Sequence, residues 1–341
     1  MVQHETNVPA FVLGIDQGGT KTMAAISDQQ GNLLGIGSAG GGYPAVSGMD
    51  HAMGEILRAV KAALANANLD MPRRFCMIGA GLTGADFDYE YDLLHAALEK
   101  TLSAETILIR NDCMVAWRGG AALPHGAVLC AGTGVNCGVR SPEGEEFIFG
   151  YFVRDEDQGG GSLGRQSLWA VFDTHVGLSP NTLLTERVLA HYHEKTVDSL
   201  IHSWVMNKIP HDGVKHLAKV LDECVALGDP VSIGIQEKFG TRLAHYPVTG
   251  LQRFDLQGKK TEVVLSGSIF KSRTPILRNA VEAEIRKHVP DVRIVEARYE
   301  PVVGGVLTAL DMLAGGFMTD PAVLRNIESS AKCLNLIRVP V

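Results

Sequence analysis

Phe11-Val12-Leu13-Gly14-Ile15-Asp16-Gln17-Gly18-Gly19-Thr20-Lys21-Thr22 is the stretch from which the rest of the chain can be read. The apolar run Phe11 to Ile15 reads as a buried strand, with Asp16 at its end. Gly18 and Gly19 allow a tight turn and bring bare N–H groups to its surface. Thr20 and Thr22 add hydroxyls, and Lys21 adds a positive charge. Met23 to Ser27 continues as a second strand, so the glycines sit in a hairpin turn. Such a turn is either a plain reversal of the chain or a cradle for phosphate oxygens with Asp16 facing a metal ion. It is not a Walker A loop, because four residues after Gly14 the required Gly-Lys pair would fall on Gly19-Thr20.

At 341 residues the length suggests two domains, and 45% hydrophobic with 20% charged residues is enough apolar material for a sizeable core. The 38 glycines exceed the usual share of about 7% and cluster between strands, where ligands tend to be held. A net charge of −7 argues against nucleic acid or an anionic membrane as partner. Cys76, Cys113, Cys130, Cys137, Cys224 and Cys333 show no C-x-x-C pair and no zinc spacing, which points to a reducing compartment. With no basic, apolar leader and no span of about 18 apolar residues, a cytoplasmic location is expected.

Along the chain, strands are expected at 11–16, 22–27 and 33–38, and an amphipathic helix over Met49 to Asn66. A buried strand over Phe75 to Gly81, a helix over Tyr89 to Leu102 and a strand over Thr106 to Ile109 follow, the last leading into Asn111-Asp112. Then the opening unit returns: strand Ala127 to Cys130, turn Gly132-Thr133-Gly134, strand Val135 to Val139. A Gly-rich bend at 158–161, several helices over 162–247, strands at 262–266 and 292–296, a helix over Val302 to Leu313 and a polar tail complete the reading. This is an α/β chain, and the duplicated strand–turn–strand unit implies two similar lobes with a cleft between them.

Three glycine sites follow strands: 18–22, 132–134 and Ser266-Gly267-Ser268. One turn on each side of the phosphates and the third site under the base would hold a nucleotide. Phosphoryl transfer then needs charge neutralisation by Mg²⁺ and a base for the acceptor hydroxyl. Asp112 is the candidate base, and equally a candidate helix cap for the run that follows it. Asp155-Glu156-Asp157 is either a solvated loop or a set of acceptors for sugar hydroxyls. Gly35 to Gly40 matches G-x-G-x-x-G but runs into Gly41-Gly42-Tyr43-Pro44, which opposes the helix a dinucleotide fold requires. Gly160 to Gly164 matches a nucleophile elbow without the preceding strand, and His191 to Glu194 lacks zinc spacing.

Taken together, these segments resemble a known family. Gly14 to Thr22 resembles the first phosphate motif of the actin-like sugar kinase and heat-shock ATPase superfamily, and Ala131 to Asn136 its second. Val264 to Ser268 is similar to its adenosine motif, and Pro301 to Ala309 to its late connecting helix. Within it, Asn111-Asp112, the Gly-Thr-Gly-x-Asn run at 132–136, Gly150-Tyr151, Asp157 and Gly164-Arg165-Gln166 resemble the N-acetylglucosamine kinase-like, BadF/BadG/BcrA/BcrD-type ATPase branch. The resemblance spans roughly residues 11–313. It implies two ribonuclease H-like lobes closing on ATP and a sugar: residues 1–118, completed by a helix near 301–315, and residues 119–300, carrying a helical insertion.

By position, the resemblance makes Asp112 the catalytic base and Asp16 the Mg²⁺-side carboxylate. Gly18, Gly19, Thr20, Lys21, Thr133, Gly134, Gly267 and Ser268 would hold the nucleotide, and Asn136, Gly150, Tyr151 and Asp157 the sugar. The expected activity is ATP-dependent phosphorylation of a small-molecule sugar, at the 6-OH of glucosamine or N-acetylglucosamine, by a homodimer. Two departures leave the sugar open. Gln158-Gly159-Gly160 replaces the family's Glu-Gly-Ser, and Gly42-Tyr43-Pro44 stands where the family has a sugar-holding Asn. Two other classes share the superfamily. An iron–sulfur ATPase activator would use Cys130 but needs a second cysteine some 40 residues on, and none lies between Cys137 and Cys224. A non-catalytic sugar-binding regulator would bind sugar without releasing ADP.

Overall fold

The computed structural model describes residues 10–71, 74–210 and 213–338, and the chain divides into two compact units. Unit 1 comprises Met1–Pro124 and Val295–Val341, and unit 2 comprises His125–Ile294.

In unit 1, β1 (Val12–Gln17), β2 (Lys21–Ser27) and β3 (Leu33–Gly40) form an antiparallel meander. The short helix α1 (Pro44–Ser47) and then α2 (Met49–Asn66) follow. β4 (Phe75–Leu82) pairs parallel with β1, α3 (Asp88–Thr101) crosses over, and β5 (Ala104–Asn111) pairs parallel with β4. α4 (Asp112–Arg118) starts directly at the end of β5. The sheet order is β3-β2-β1-β4-β5, and the central strands are buried on both faces, as a covered parallel region requires.

Unit 2 opens with β6 (Gly126–Ala131), β7 (Val135–Arg140) and β8 (Glu146–Ile148). The α-helices that follow are α5 (Gly159–His175), α6 (Leu184–Tyr192), α7 (Val197–Val205), α8 (Leu217–Ala226) and α9 (Pro230–Arg253). β9 (Glu262–Ser266), α10 (Ile276–His288) and β10 (Arg293–Glu296) complete its sheet, ordered β10-β9-β6-β7-β8. With β6–β7–β8 antiparallel and β6–β9 parallel, this repeats the order of the first sheet. Each unit is ribonuclease H-like.

The chain ends in unit 1 with α11 (Pro301–Leu313) and α12 (Pro321–Cys333). Ile56 and Val60 of α2 cover one face of the sheet with Leu13 and Ile15. Val302, Val306 and Leu310 of α11, with Ile327 and Ala331 of α12, cover the other. The sheet lets α11 approach closely because Gly14 and Gly79 have no side chains. A Cβ at Gly14 would lie 2.5 Å from the Val306 nitrogen.

Two expectations need correcting. The tail is not a featureless polar segment: Asp320 caps α12, Pro321 starts it, and its sparse apolar residues reach the core. The glycines at 158–161 are not a free bend either, because α5 begins at Gly159. Gly35 to Gly40 lies within β3, which removes the dinucleotide reading.

Candidate active site

In unit 1 the first turn is built from β1 outward. The Gly18 N–H donates to the Lys21 carbonyl at 2.9 Å, closing the hairpin. Gln17 is fully buried; its side-chain amide donates to the Thr22 hydroxyl at 3.1 Å and the Ala52 carbonyl at 2.8 Å. The Thr22 hydroxyl in turn donates to the Gly40 carbonyl at 2.7 Å. Thr22 therefore braces the turn from inside and does not face a ligand. Gly19, Thr20 and Lys21 are exposed at its tip.

Asp16 and Asp112 lie at the same end of the parallel strands. Asp16 is in register with Gly81 of β4, and Gly81 with Arg110 of β5, two residues before Asp112. Two strand spacings separate β1 from β5 by about 10 Å. Both carboxyls are only partly open to solvent, and burial is the main cause that pushes each up to about 7 from an ordinary 3.8. For Asp16 the charge of Asp112 adds to the rise, while Arg338 and Lys21 oppose it. For Asp112 the charge of Asp86 adds, and the Cys113 N–H opposes.

Asp112 is not the N-cap of α4. Asn111 takes that place, its Oδ1 accepting the Cys113 N–H at 3.0 Å. Its Nδ2 donates to the Ala85 carbonyl at 3.1 Å and to Asp86 at 3.0 Å. The cap and the candidate base are thus neighbouring residues, and Asn111 fixes where α4 begins.

In unit 2 the second turn repeats the device. The Gly132 N–H donates to the Gly134 carbonyl at 2.8 Å, leaving Thr133 and Gly134 exposed. The start of α5 packs directly beneath. The Gly160 N–H donates to the Gly132 carbonyl at 2.9 Å. Gly159 has φ +46, and a Cβ there would stand 2.3 Å from that same carbonyl. Gln158 clamps the turn further, its Oε1 accepting the Val135 N–H at 3.3 Å. The positive end of a 17-residue helix is therefore aimed at the turn, as suits an anion.

Gly267, at φ +112, backs onto the Ala131 carbonyl, which a Cβ would approach to 2.1 Å. Thr133 and Ser268 consequently line one cavity of about 620 Å³, with Lys215, Lys219 and Lys271 as cations and Leu277 among the apolar walls. No sequence pattern marks Lys215 and Lys219, on α8 and its approach, or Lys271 as part of a site.

Asn136 and Gly150 meet directly. Asn136 Oδ1 accepts the Gly150 N–H at 2.9 Å and the Cys137 N–H at 2.8 Å. Tyr151 beside them is exposed. Asp157 departs from the expectation of an open sugar contact. It is 4% exposed, with one oxygen taken by Arg242 Nε at 2.7 Å and the other by the Tyr246 hydroxyl at 2.9 Å. Both partners come from α9, more than 80 residues on, so no local pattern could have revealed them. Asp155 and Glu156 remain exposed.

Among the described residues no cluster of three His, Cys, Asp or Glu side chains could hold a metal by itself. Mg²⁺ does not require one, since it is commonly held by one or two carboxylates plus substrate phosphates. Asp16 offers such a carboxylate.

Two ribonuclease H-like units, each with a glycine turn between its first two strands, define the two-lobed α/β fold shared with sugar kinases of known structure. A glucokinase of the ROK family from Streptomyces griseus, solved with glucose and a nucleotide analogue, superposes with a TM-score of 0.58 over 90% of this chain and 100% of that one, at 17% identity. A protein described as an N-acetylglucosamine kinase from Chromobacterium violaceum gives 0.70, covering 88% and 99%, at 19% identity. The chain belongs to the BadF/BadG/BcrA/BcrD ATPase family, which it matches over residues 13–309. It is 24% identical to the glucosamine kinase of Vibrio cholerae over 74% of this chain and 85% of that protein. It is 22% identical to the N-acetylmuramic acid/N-acetylglucosamine kinase of Clostridium acetobutylicum, over 88% and 98%.

Proposed function

We propose that this protein is an ATP-dependent kinase that phosphorylates a hydroxyl of an amino sugar, with glucosamine or N-acetylglucosamine as the acceptor and the 6-OH as the nucleophile. The observation that carries the reading is Asp112: a carboxyl directly after the parallel edge strand β5, at the first residue of α4, raised to about 7 by burial and by Asp86. A carboxylate of that basicity is suited to take a proton near neutral pH. The family match and the kinase relatives support the same reading.

In the reaction, the sugar oxygen attacks the γ-phosphorus in line. The new O–P bond forms as the bond to the β,γ-bridging oxygen breaks, and ADP carries away that electron pair. The proton of the sugar hydroxyl passes to Asp112. The turn at Gly18 to Lys21 and the turn at Thr133-Gly134 donate N–H groups to phosphate oxygens, with Lys21 and the α5 N-terminus offsetting charge. Mg²⁺, when bound, supplies further charge neutralisation, and Asp16 is the residue that would hold it. Gly267, Ser268 and the 620 Å³ cavity accept the nucleoside end. On the sugar side Asn136, Gly150 and Tyr151 make contact, while Asp157 acts indirectly by fixing the 150–157 loop to α9. A reducing, cytoplasmic setting suits this role: all six cysteines are unpaired, and among the described residues no helix is long and apolar enough to cross a membrane.

Asp112→Asn tests the assignment. It should lower sugar phosphorylation by about 10²- to 10⁴-fold while leaving ATP affinity within a few-fold. Near-normal turnover by that variant would remove Asp112 from its role.

A further inference from the structure

Unit 1 contains a second cavity, of about 800 Å³, a size typical of small-molecule sites. It is built in part by chain beyond residue 309, where the family match ends. One stripe of α12, Pro321, Leu324, Arg325, Glu328 and Ser329, faces it at i, i+3, i+4, i+7 and i+8 spacing. The opposite stripe is used for attachment: Ile327 and Ala331 are in the core, and the Ser330 hydroxyl accepts the Leu33 N–H at 3.0 Å. α12 is therefore docked by one face and lines the cavity with the other.

The chemistry of the walls is uneven. Ala121, Ala122, Leu307, Phe317 and Met318 are apolar, whereas Arg118, Arg298 and Arg325 supply three cations, of which Asp311 balances the first and Glu328 the second, leaving Arg325 in surplus. Arg118 is buried and held by Asp311 at 2.7 and 2.9 Å, by the Met318 carbonyl at 3.1 Å and under the Phe317 ring at 3.9 Å. Arg298 pairs with Glu328. Arg325 is exposed at the rim and has no ion-pair partner among the described residues. In a chain of net charge −7, an apolar cavity with surplus guanidinium suits an anion with an apolar body.

The position of the cavity gives it leverage. Arg118 and Gly119 end α4, whose first residue is Asp112, and seven helical residues span only about 10 Å. α4 is also pressed on α11, since a Cβ at Gly304 would meet the Val115 carbonyl at 1.8 Å. Moreover, the chain passes between the units after Pro124 and again after Ile294. Gly119 to Ala122 precede the first crossing, Arg298 and Tyr299 follow the second, and both groups line the cavity. The Tyr299 N–H donates to the Gly119 carbonyl at 3.4 Å, tying the two segments together.

We propose that this cavity is a regulatory site for a small amphipathic anion, held by Arg325 and the Arg118–Phe317 wall, whose occupancy acts on α4 and on both crossing segments. The binding claim is independent of the kinase reading, and the effect on turnover rests on it.

The test uses anilinonaphthalene sulfonate as probe, followed by fluorescence, with the full chain. One saturable site is expected, displaced by decanoate and not by inorganic phosphate. Arg325→Ala should weaken it about tenfold, the loss expected for one charge-assisted contact. Thr319→Trp, at an exposed wall position, should block it, whereas Trp169→Ala, in an unrelated pocket of unit 2, should leave it unchanged. Probe binding should slow hydrogen exchange over residues 113–124 and 298–300. Binding that survives both unit 1 variants, displacement by phosphate as readily as by decanoate, or protection confined to unit 2 would each overturn the site. Decanoate should alter kcat for sugar-dependent ADP release in the parent protein and not in Arg325→Ala; an equal response in both would overturn the regulatory role. Absence of ADP release with every sugar would sink the kinase reading and leave the binding results standing.

Discussion

The charge of Asp86 adds to burial at Asp112, the proposed base. Burial and Asp86 make the Asp112 carboxyl hold its proton up to about pH 7. A general base works deprotonated, so kcat/KM should fall as pH drops through that region, with a slope of one proton. Asp86→Asn removes the repelling charge, and the acid limb should move to lower pH by about half a unit to one unit. An unmoved limb would mean that another group titrates. Stability carries the opposite sign. A carboxyl whose folded pKa is raised favours folding below its unfolded value near 3.8, and that contribution is lost as pH rises through about 7. Asp16→Asn should therefore stabilise the ligand-free protein at pH 8 by on the order of 1 kcal/mol after solvent screening, read as a higher melting temperature, and change little at pH 4. Individual roles were only partly legible from sequence. Sequence leaves Asp112 open as base or cap, because Asn and Asp are equally good caps and only the Asn111–Cys113 hydrogen bond gives the cap to Asn111. Asp157 reads as a free acceptor in the sequence because Arg242 and Tyr246 are brought to it by α9 and not by neighbouring residues.

Glycines at the contacts between elements decide how the site is held. Gly304 brings α11 against the Val115 carbonyl of α4. Gly304→Ala should lower stability by about 1–3 kcal/mol through overpacking, read as a shift in the denaturation midpoint, and should reduce kcat by displacing Asp112. A variant with normal kcat would show that α4 tolerates the shift. In unit 2, Gly159→Ala combines an unfavourable φ of +46 with a Cβ 2.3 Å from the Gly132 carbonyl. ATP affinity measured by calorimetry should fall at least about tenfold, because the phosphate turn must move. Strands and long helices were readable because their apolar periodicity is local. α12 was not, since only Ile327 and Ala331 are deeply buried and the rest of its surface is polar or lines the cavity. The opening of α5 is hidden for a related reason: three glycines in a row signal a bend until the backbone of the 132–134 turn is known to lie against them.

For the molecule as a whole, the repeated strand–turn–strand unit was the readable signature of two like units, and both sheets share one strand order. Sequence could not supply the walls of the two cavities, because each is assembled from segments far apart in the chain. The central claim is sugar-dependent phosphoryl transfer. It is tested most directly by coupled ADP release from ATP and Mg²⁺ with glucosamine, N-acetylglucosamine, N-acetylmannosamine, glucose or no sugar. Release with glucosamine or N-acetylglucosamine should run at least about tenfold above the sugar-free rate, since water must be a poor substitute for the positioned hydroxyl. ADP release at the same rate with and without every sugar, or none with any, would contradict it.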